Sequence, residues 1–334
     1  MSRQLPSILL CGYERGGTTL LSQIFRENGY VGGFEVGALM CDTPKAFLSY
    51  KPYCDMLRPG WKLGNRITLK ELCSADFEHF YHGLVSTAFP KKRDAPAFDK
   101  TPIYMSRLGY TLSRTSFINK AVVITRDPRA VFVSWAKRAI PEGANAKAVD
   151  RLVRSQLPQY SRRYLDYFFG SITHRSSSNV MFIAYEDLCI NQVDTIKRLG
   201  SFACERDFVL KGMTHNYKNI YGNNIGTSNV AAFDQYLEAE TQDLVLKATE
   251  LARPFFFEDV GTKSLSTLGG WEKLENTAAT TLEKFRLDAT PVNIDGFYFE
   301  PETYLLRNSD VLLRAINPVD HFRRYGRREG RRPA

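Results

Sequence analysis

The chain has 334 residues and a formal net charge of +9, from 45 basic and 36 acidic side chains. Hydrophobic content of 43% and aromatic content of 13% are those of a globular protein with a sizeable core, and no apolar run approaches the roughly 20 residues of a membrane-spanning helix. The cationic surplus suits anionic ligands, but the basic residues are dispersed except at the extreme C-terminus, which argues against nucleic acid. Six cysteines (Cys11, Cys41, Cys54, Cys73, Cys189 and Cys204) lack a CxxC pair or partnering histidines, so reduced thiols are expected rather than zinc or disulfides.

In chain order, Ser7–Gly12 reads as a buried strand that enters Tyr13-Glu14-Arg15-Gly16-Gly17 and opens directly into a helical pattern from Thr18 to Asn28. Successive N–H groups in such a turn, with the positive end of the helix dipole, form a phosphate cradle. The spacing from Gly12 to Gly17 is that of a P-loop, yet Thr18 stands where the nucleotide-binding lysine belongs. That lysine reaches the β- and γ-phosphates of a nucleoside triphosphate, so its absence argues against ATP or GTP. The cation sits at Arg15 instead, and Thr18 and Thr19 can donate hydroxyls to a phosphate.

A glycine-rich connection, Gly29–Gly37, carries Glu35, and Cys41–Arg66 reads as an irregular flap rich in Pro, Gly and aromatics. A helix over Ser74–Phe89 bears His79 and His82. A short strand, Ala97–Asp99, runs into Lys100-Thr101-Pro102. The strand Val122–Thr125 ends in Arg126-Asp127-Pro128, and a helix over Ala130–Arg138 places Ser134 about two turns along, eight positions after Arg126. A long helix near Ala146–Phe169, a strand Asn179–Ala184, then Tyr185-Glu186-Asp187-Leu188 and a helix to Phe202 complete the pattern. Alternating strands and helices predict an α/β fold, a central parallel sheet flanked by helices, with ligand at the carboxyl ends of the strands. Gln235–Leu251 reads as a further helix, and the tail as a small α-helical appendage, giving a division into 1–288 and 289–334.

The Arg15-Gly16-Gly17-Thr18-Thr19 loop, taken with Arg126 and Ser134, resembles the sulfotransferase family over residues 5–285. The resemblance implies a P-loop NTPase-like sulfotransferase fold. It also implies 3′-phosphoadenosine-5′-phosphosulfate (PAPS) as co-substrate, with adenosine 3′,5′-bisphosphate as product. On that reading Arg15, Gly16, Gly17, Thr18 and Thr19 hold the 5′-phosphosulfate, Arg126 and Ser134 hold the 3′-phosphate, and Tyr185 lies beside the nucleotide. Lys263, ahead of Gly269-Gly270-Trp271, is the nearest equivalent of the family's basic loop over the 3′-phosphate.

Asp99-Lys100-Thr101-Pro102 resembles an element of glycan sulfotransferases in which the lysine assists near the transferring group. In tyrosylprotein and trehalose-type members a glutamate follows the phosphate loop at about the separation of Glu35, which makes Glu35 the candidate general base; a solvated loop acid is the alternative. Aryl and steroid sulfotransferases use a histidine, but His79 and His82 match no motif and rank below Glu35. The basic residues that follow the base in tyrosylprotein enzymes are missing here, and Glu14 puts an acid beside Arg15. A carbohydrate or other small hydroxylated acceptor therefore suits better than an acidic peptide, with Phe34, Tyr50, Tyr53 and Trp61 available to stack on sugar rings.

The expected reaction is metal-independent sulfuryl transfer, with Glu35 as base and Arg15 and Lys100 stabilising the leaving phosphate. The first strand leaves no room for a signal peptide and no anchor like that of Golgi members is seen, so a cytoplasmic, bacterial enzyme is expected. The tail resembles a short helical module on bacterial glycan-related proteins. Two other readings stand beside this one: a P-loop kinase or NTPase, with Asp127 as the metal-binding acid, and a catalytically inactive nucleotide- or glycan-binding protein.

Overall fold

Pro6–Gly12 forms β1, whose two neighbours are β2 (Ala97–Lys100) and β3 (Lys120–Thr125), with β4 (Val180–Ala184) beyond β3. The fold is that of a computed structural model whose described residues are 4–51, 53–175, 177–209, 230–249, 252 and a discontinuous set between 292 and 331. The order β2-β1-β3-β4 is parallel throughout, with Leu10 opposite Val122 and Val123 opposite Phe182. Side chains alternate across each strand. Leu9, Cys11 and Val123 enter one core, and Ile8, Leu10, Val122 and Ile124 the other. Burial on both faces explains why these strands read as near-continuous apolar runs.

One face is covered by α1 (Thr18–Glu27), whose Leu20, Leu21, Ile24 and Phe25 are buried. The stretch Cys41–Arg66, expected to be an irregular flap, instead carries the short helices α2 (Pro44–Phe47) and α3 (Tyr53–Gly60), and α4 (Leu69–Leu72) follows it. Local capping makes them possible: the Thr43 side chain accepts from Ala46 N–H, and Thr68 and Glu71 form a capping box. Next come α5 (Phe77–Ala88), capped by Asp76, and α6 (Leu108–Ser113). The opposite face of the sheet carries α7 (Pro128–Ala139) and α8 (Ala146–Ile172), which contribute Phe132, Tyr164 and Phe168 to the core. After β4 come α9 (Tyr185–Ile190) and α10 (Gln192–Cys204), whose Leu188, Ile196 and Leu199 join α1 on the first face. The helix expected over Gln235–Leu251 is shorter: Ala232–Gln235 is a 3-10 turn and α11 spans Ala239–Ala248.

The tail is not purely helical. Before its helical residues, β5 (Val292–Ile294) pairs antiparallel with β6 (Phe297–Phe299). Alternating β-branched and aromatic residues on either side of Asp295-Gly296 are the sequence signal for it. Asn317 caps α12 (Pro318–His321), which continues as a π-turn over Phe322–Gly326, and Phe299, Tyr304 and Phe322 pack ring on ring. All six cysteines are free thiols, five of them buried. Among the described residues no helix is long and apolar enough to cross a membrane, and no group of three or more His, Cys, Asp or Glu could hold a metal ion.

Candidate active site

Parallel strands bring the segments after β1, β2, β3 and β4 to one edge of the sheet, which is where the candidate residues gather. Between β1 and α1 the chain turns sharply: Gly16 N–H donates to Tyr13 O at 2.8 Å, and Arg15 and Gly17 both have left-handed backbone, φ 68° and 103°. Left-handed backbone is costly for arginine, and Arg15 is held there from two sides. Arg126 Nη1 donates to its carbonyl oxygen at 2.9 Å, and its own Nε donates to Ser134 Oγ at 3.0 Å. Gly17 is the N-cap of α1 and no side chain caps that helix, so its first N–H groups face the cradle. A Cβ on Gly17 would lie 2.6 Å from Tyr185 Cδ2, so only glycine fits.

The Glu14 side chain turns away from Arg15. It forms an ion pair with Arg163 and accepts from Tyr167 Oη at 3.0 Å, both on α8. The acid next to Arg15 in the sequence is therefore engaged elsewhere.

Arg126 leaves the end of β3 with its guanidinium 4.2 Å from the ring centroid of buried Tyr185, a cation–π geometry. Its carbonyl oxygen accepts from Tyr164 Oη at 2.7 Å, and its buried Nε has no hydrogen-bond partner among the described residues. Asp127 is a structural cap, not a metal ligand: its carboxylate accepts from Arg129 N–H at 2.8 Å and pairs with the Arg129 guanidinium at 2.6 Å. Behind it lies Glu186, fully buried, whose Oε1 accepts from Asp127 N–H at 3.0 Å. Burial, and then the nearby Asp127 charge, pushes the Glu186 carboxyl up to about 7.

On β2, Lys100 is 3% exposed and its Nζ donates to Glu35 Oε1 at 3.0 Å while lying 4.8 Å from the Phe34 ring centroid. Burial lowers the Lys100 pKa, an effect opposed by the Glu35 charge. Asp99, the preceding residue on the strand, points to its other side. Its buried carboxylate accepts from Tyr81 Oη at 2.5 Å, Thr101 Oγ1 at 2.8 Å and Tyr104 Oη at 3.0 Å. Desolvation raises Asp99 to about 6 in spite of these three donors. Thr101 Oγ1 in turn accepts from Val36 N–H at 2.9 Å and from Gly37 N–H at 3.3 Å. The glycine-rich connection that presents Glu35 is thus tied to the end of β2.

A cavity of about 940 Å³ is lined by Arg15, Gly17, Thr18, Thr19, Glu35, Arg126, Ser134 and Tyr185 together. Lys100 and Gly16 do not line this cavity, although Lys100 touches two residues that do, Glu35 and Phe34, and Lys263 falls outside the described residues. Phe34, Tyr50 and Tyr53 also line the cavity, but Trp61 does not: it is buried, donating from Nε1 to Phe34 O at 2.8 Å. His79 is engaged on α5 by Ser74 and by the Glu71 carbonyl, and neither His79 nor His82 lines the cavity. A second cavity of about 470 Å³ adds Lys137, Arg138, Phe233 and Tyr236 to Arg15, Arg126 and Ser134. Reasoning on the sequence passed over these four, although Lys137 and Arg138 follow Ser134 at i+3 and i+4 and so share its helix face.

Residues 5–243 match the family described as Sulfotransferase domain. The chain belongs to that family. No curated protein matches the sequence. Among solved structures, this sulfotransferase is similar to the Sulfotransferase Domain from the Synechococcus PCC 7002 Olefin Synthase, with 18% identity, 75% of this chain and 95% of that one covered, and a TM-score of 0.47. The Sulfotransferase Domain from the Curacin Biosynthetic Pathway is similar at 17% identity over 74% and 98% of the two chains, TM-score 0.47. Retinol dehydratase in complex with androsterone and inactive cofactor PAP is similar at 16% identity over 78% and 84%, TM-score 0.40. PAPS is the co-substrate of this enzyme family. The cradle fits it: the start of α1 has no side-chain cap, Gly17 sits where a Cβ would strike Tyr185, and the buried Arg126 Nε has no partner among the described residues.

Proposed function

We propose that this sulfotransferase moves the sulfuryl group of PAPS to a hydroxyl of a carbohydrate or another small acceptor, with Glu35 as general base. The observation that carries the reading is that the Glu35 carboxylate and the Arg15 cradle line one cavity. PAPS supplies an activated SO₃ unit. Glu35 takes the proton of the acceptor hydroxyl as the acceptor oxygen–sulfur bond forms. The sulfur–oxygen bond to the 5′-phosphate breaks, and its electron pair stays on the phosphate oxygen. Arg15, the Thr18 and Thr19 hydroxyls and the N–H groups opening α1 stabilise that growing charge. Lys100, expected from the sequence to stabilise the leaving phosphate, instead donates to Glu35, so in this reading it adds a buried positive charge on the acceptor side and holds the carboxylate in place. Every role is filled by a side chain or backbone group of this chain.

Tyr50 and Tyr53 support a sugar-sized acceptor. Their rings are stacked, with centroids 5.4 Å apart, and both line the cavity beside half-exposed Phe34. Burial, and next the Glu35 and Glu14 charges, raise the Tyr53 phenol and keep it a hydrogen-bond donor. Residues 289–334 are read as an accessory packing module.

The test is incubation with PAPS and a panel of sugars and phenols, with sulfated products read by mass spectrometry in the presence of a chelator. Chelator-insensitive sulfation of a sugar, lost in Glu35→Gln, is the expected result. Nucleotide binding without transfer to any hydroxyl would overturn the catalytic reading.

A further inference from the structure

The smaller cavity has a different electrostatic character from the larger one. Glu14 and Glu35 line the larger, whereas the smaller is lined by Arg15, Arg126, Lys137 and Arg138 with no carboxylate among its described lining residues. Four cations gathered around about 470 Å³, with no counter-charge among the described wall residues, form a site for a multiply charged anion. Arg15, Arg126, Ser134 and Arg138 line both cavities and so stand at their junction.

The fold places these charges deliberately. Ala130, Val133, Ser134, Lys137 and Arg138 follow the 3–4 spacing of one helix face, and all line the cavity. Across from them Tyr236 accepts a hydrogen bond from Lys137 Nζ at 2.9 Å, with the ammonium 4.3 Å from its ring centroid. An exposed lysine ordinarily spreads over many rotamers. Here a neutral phenol restrains it, so its charge is left uncompensated for a ligand. Phe233 is held in the same wall under the Arg129 guanidinium, 4.2 Å from its centroid, and Arg129 is itself neutralised by Asp127.

We propose that Lys137 and Arg138 are specificity-determining residues for the 3′-phosphate of the nucleotide, with Tyr236 as the positioning residue for Lys137. The inference rests on PAPS as the donor of this family. A nucleotide phosphorylated at both ends needs two separate sets of cations. The Arg15 cradle at the start of α1 is one, and the α7 face joining Ser134, Lys137 and Arg138 to Arg126 is the other. The assignment makes α7 itself a reader of the 3′-phosphate.

Calorimetric titration with adenosine 3′,5′-bisphosphate and with adenosine 5′-monophosphate tests this on the full chain, with thermal unfolding to verify each variant's fold. Lys137→Ala and Arg138→Ala are each expected to weaken bisphosphate binding on the order of tenfold, with monophosphate binding held within about twofold. Tyr236→Phe is expected to lower the bisphosphate preference in the same direction, and Arg138→Lys to restore part of it. Arg151→Ala, an exposed cation on α8 outside both cavities, serves as the charge control and is expected to change neither. Equal weakening of both nucleotides, a matching loss in Arg151→Ala, or no loss in either α7 variant would overturn the proposal. A wild-type protein that binds no bisphosphate would overturn the nucleotide site itself, before any question of α7.

Discussion

Lys100 Nζ lies 3.0 Å from Glu35 Oε1, with the lysine side chain 3% exposed and the glutamate 22%. The pair joins the last residue of β2 to a glycine-rich connection 65 residues earlier in the chain. A lysine this deeply buried is retained in its charged form only with a partner at hand. The partner here is the residue whose carboxylate lines the larger cavity.

Replacement of that carboxylate is the first prediction. Glu35→Gln keeps an acceptor for Lys100 but removes the base, so kcat is expected to fall on the order of a hundredfold or more. Lys100→Ala is expected to lose a comparable factor by removing a charge from the acceptor side. Bisphosphate affinity in both is expected to remain that of the wild type, measured by titration beside steady-state kinetics. Wild-type turnover in either variant would take that residue out of the mechanism.

Thr101→Val tests how Glu35 is held. The change conserves shape but deprives the Val36 N–H of its acceptor at 2.9 Å and removes one donor from Asp99. A buried N–H left without a partner costs about 1–3 kcal/mol, to be read by urea unfolding. Turnover is expected to fall along with stability while bisphosphate binding is retained, because the disturbance lies on the Glu35 side of the cavity.

Gly17→Ala separates the cradle from the base. At φ 103° and with Tyr185 Cδ2 only 2.6 Å from the added Cβ, alanine must distort the turn or displace the tyrosine beneath Arg126. Strain of about 1–3 kcal/mol is expected, together with loss of bisphosphate binding. A variant that binds normally would mean that the loop accommodates a side chain at no cost.

Glu14→Gln is expected to do little to the nucleotide. The carboxylate is engaged with Arg163 and Tyr167, and the ion pair is part-exposed, at 47% and 29%. Partial exposure limits the stability change to about 1 kcal/mol or less. A marked change in bisphosphate affinity would show that the Glu14 charge reaches the cradle despite its partners.

Stability should depend on pH through Glu186. Its carboxyl sits near 7 in the fold against 4.5 ordinarily, because burial and Asp127 disfavour the charged form. The native state then binds the proton more tightly than the unfolded chain, so this group's contribution is present below about 4.5 and is lost as pH rises to about 7. The size is on the order of 3 kcal/mol for a shift of this extent. Glu186→Gln, which keeps an acceptor for the Asp127 N–H, should flatten the stability profile over that window in denaturant titrations. Parallel profiles for the two proteins would show that Glu186 ionises at its ordinary pKa.

Much of the site was legible from the chain because its signals are local. A strand, a turn with two glycines and a helix opening without a capping side chain are set by neighbouring residues, and so is the eight-residue step from Arg126 to Ser134. Lys137 and Arg138 belong to the same helix face, but nothing local marks them as binding residues until Tyr236 closes the far wall. Trp61 shows the opposite failure. Its composition suited a sugar platform, yet the fold spends it in the core beneath Phe34.

The sequence by itself determined the alternation of strands and helices, the glycine cradle, the exchange of the P-loop lysine for Arg15, and hence the family. Those properties depend on hydrophobic period and on backbone conformations that only certain residues permit. Only the tertiary structure decided the partners: Glu14 with Arg163, Lys100 with Glu35, Asp99 with three hydroxyls, Lys137 with Tyr236. These contacts join residues as much as 149 positions apart. Charge and hydrogen-bonding capacity can be read from a side chain, but which group satisfies them depends on where the packed elements bring it.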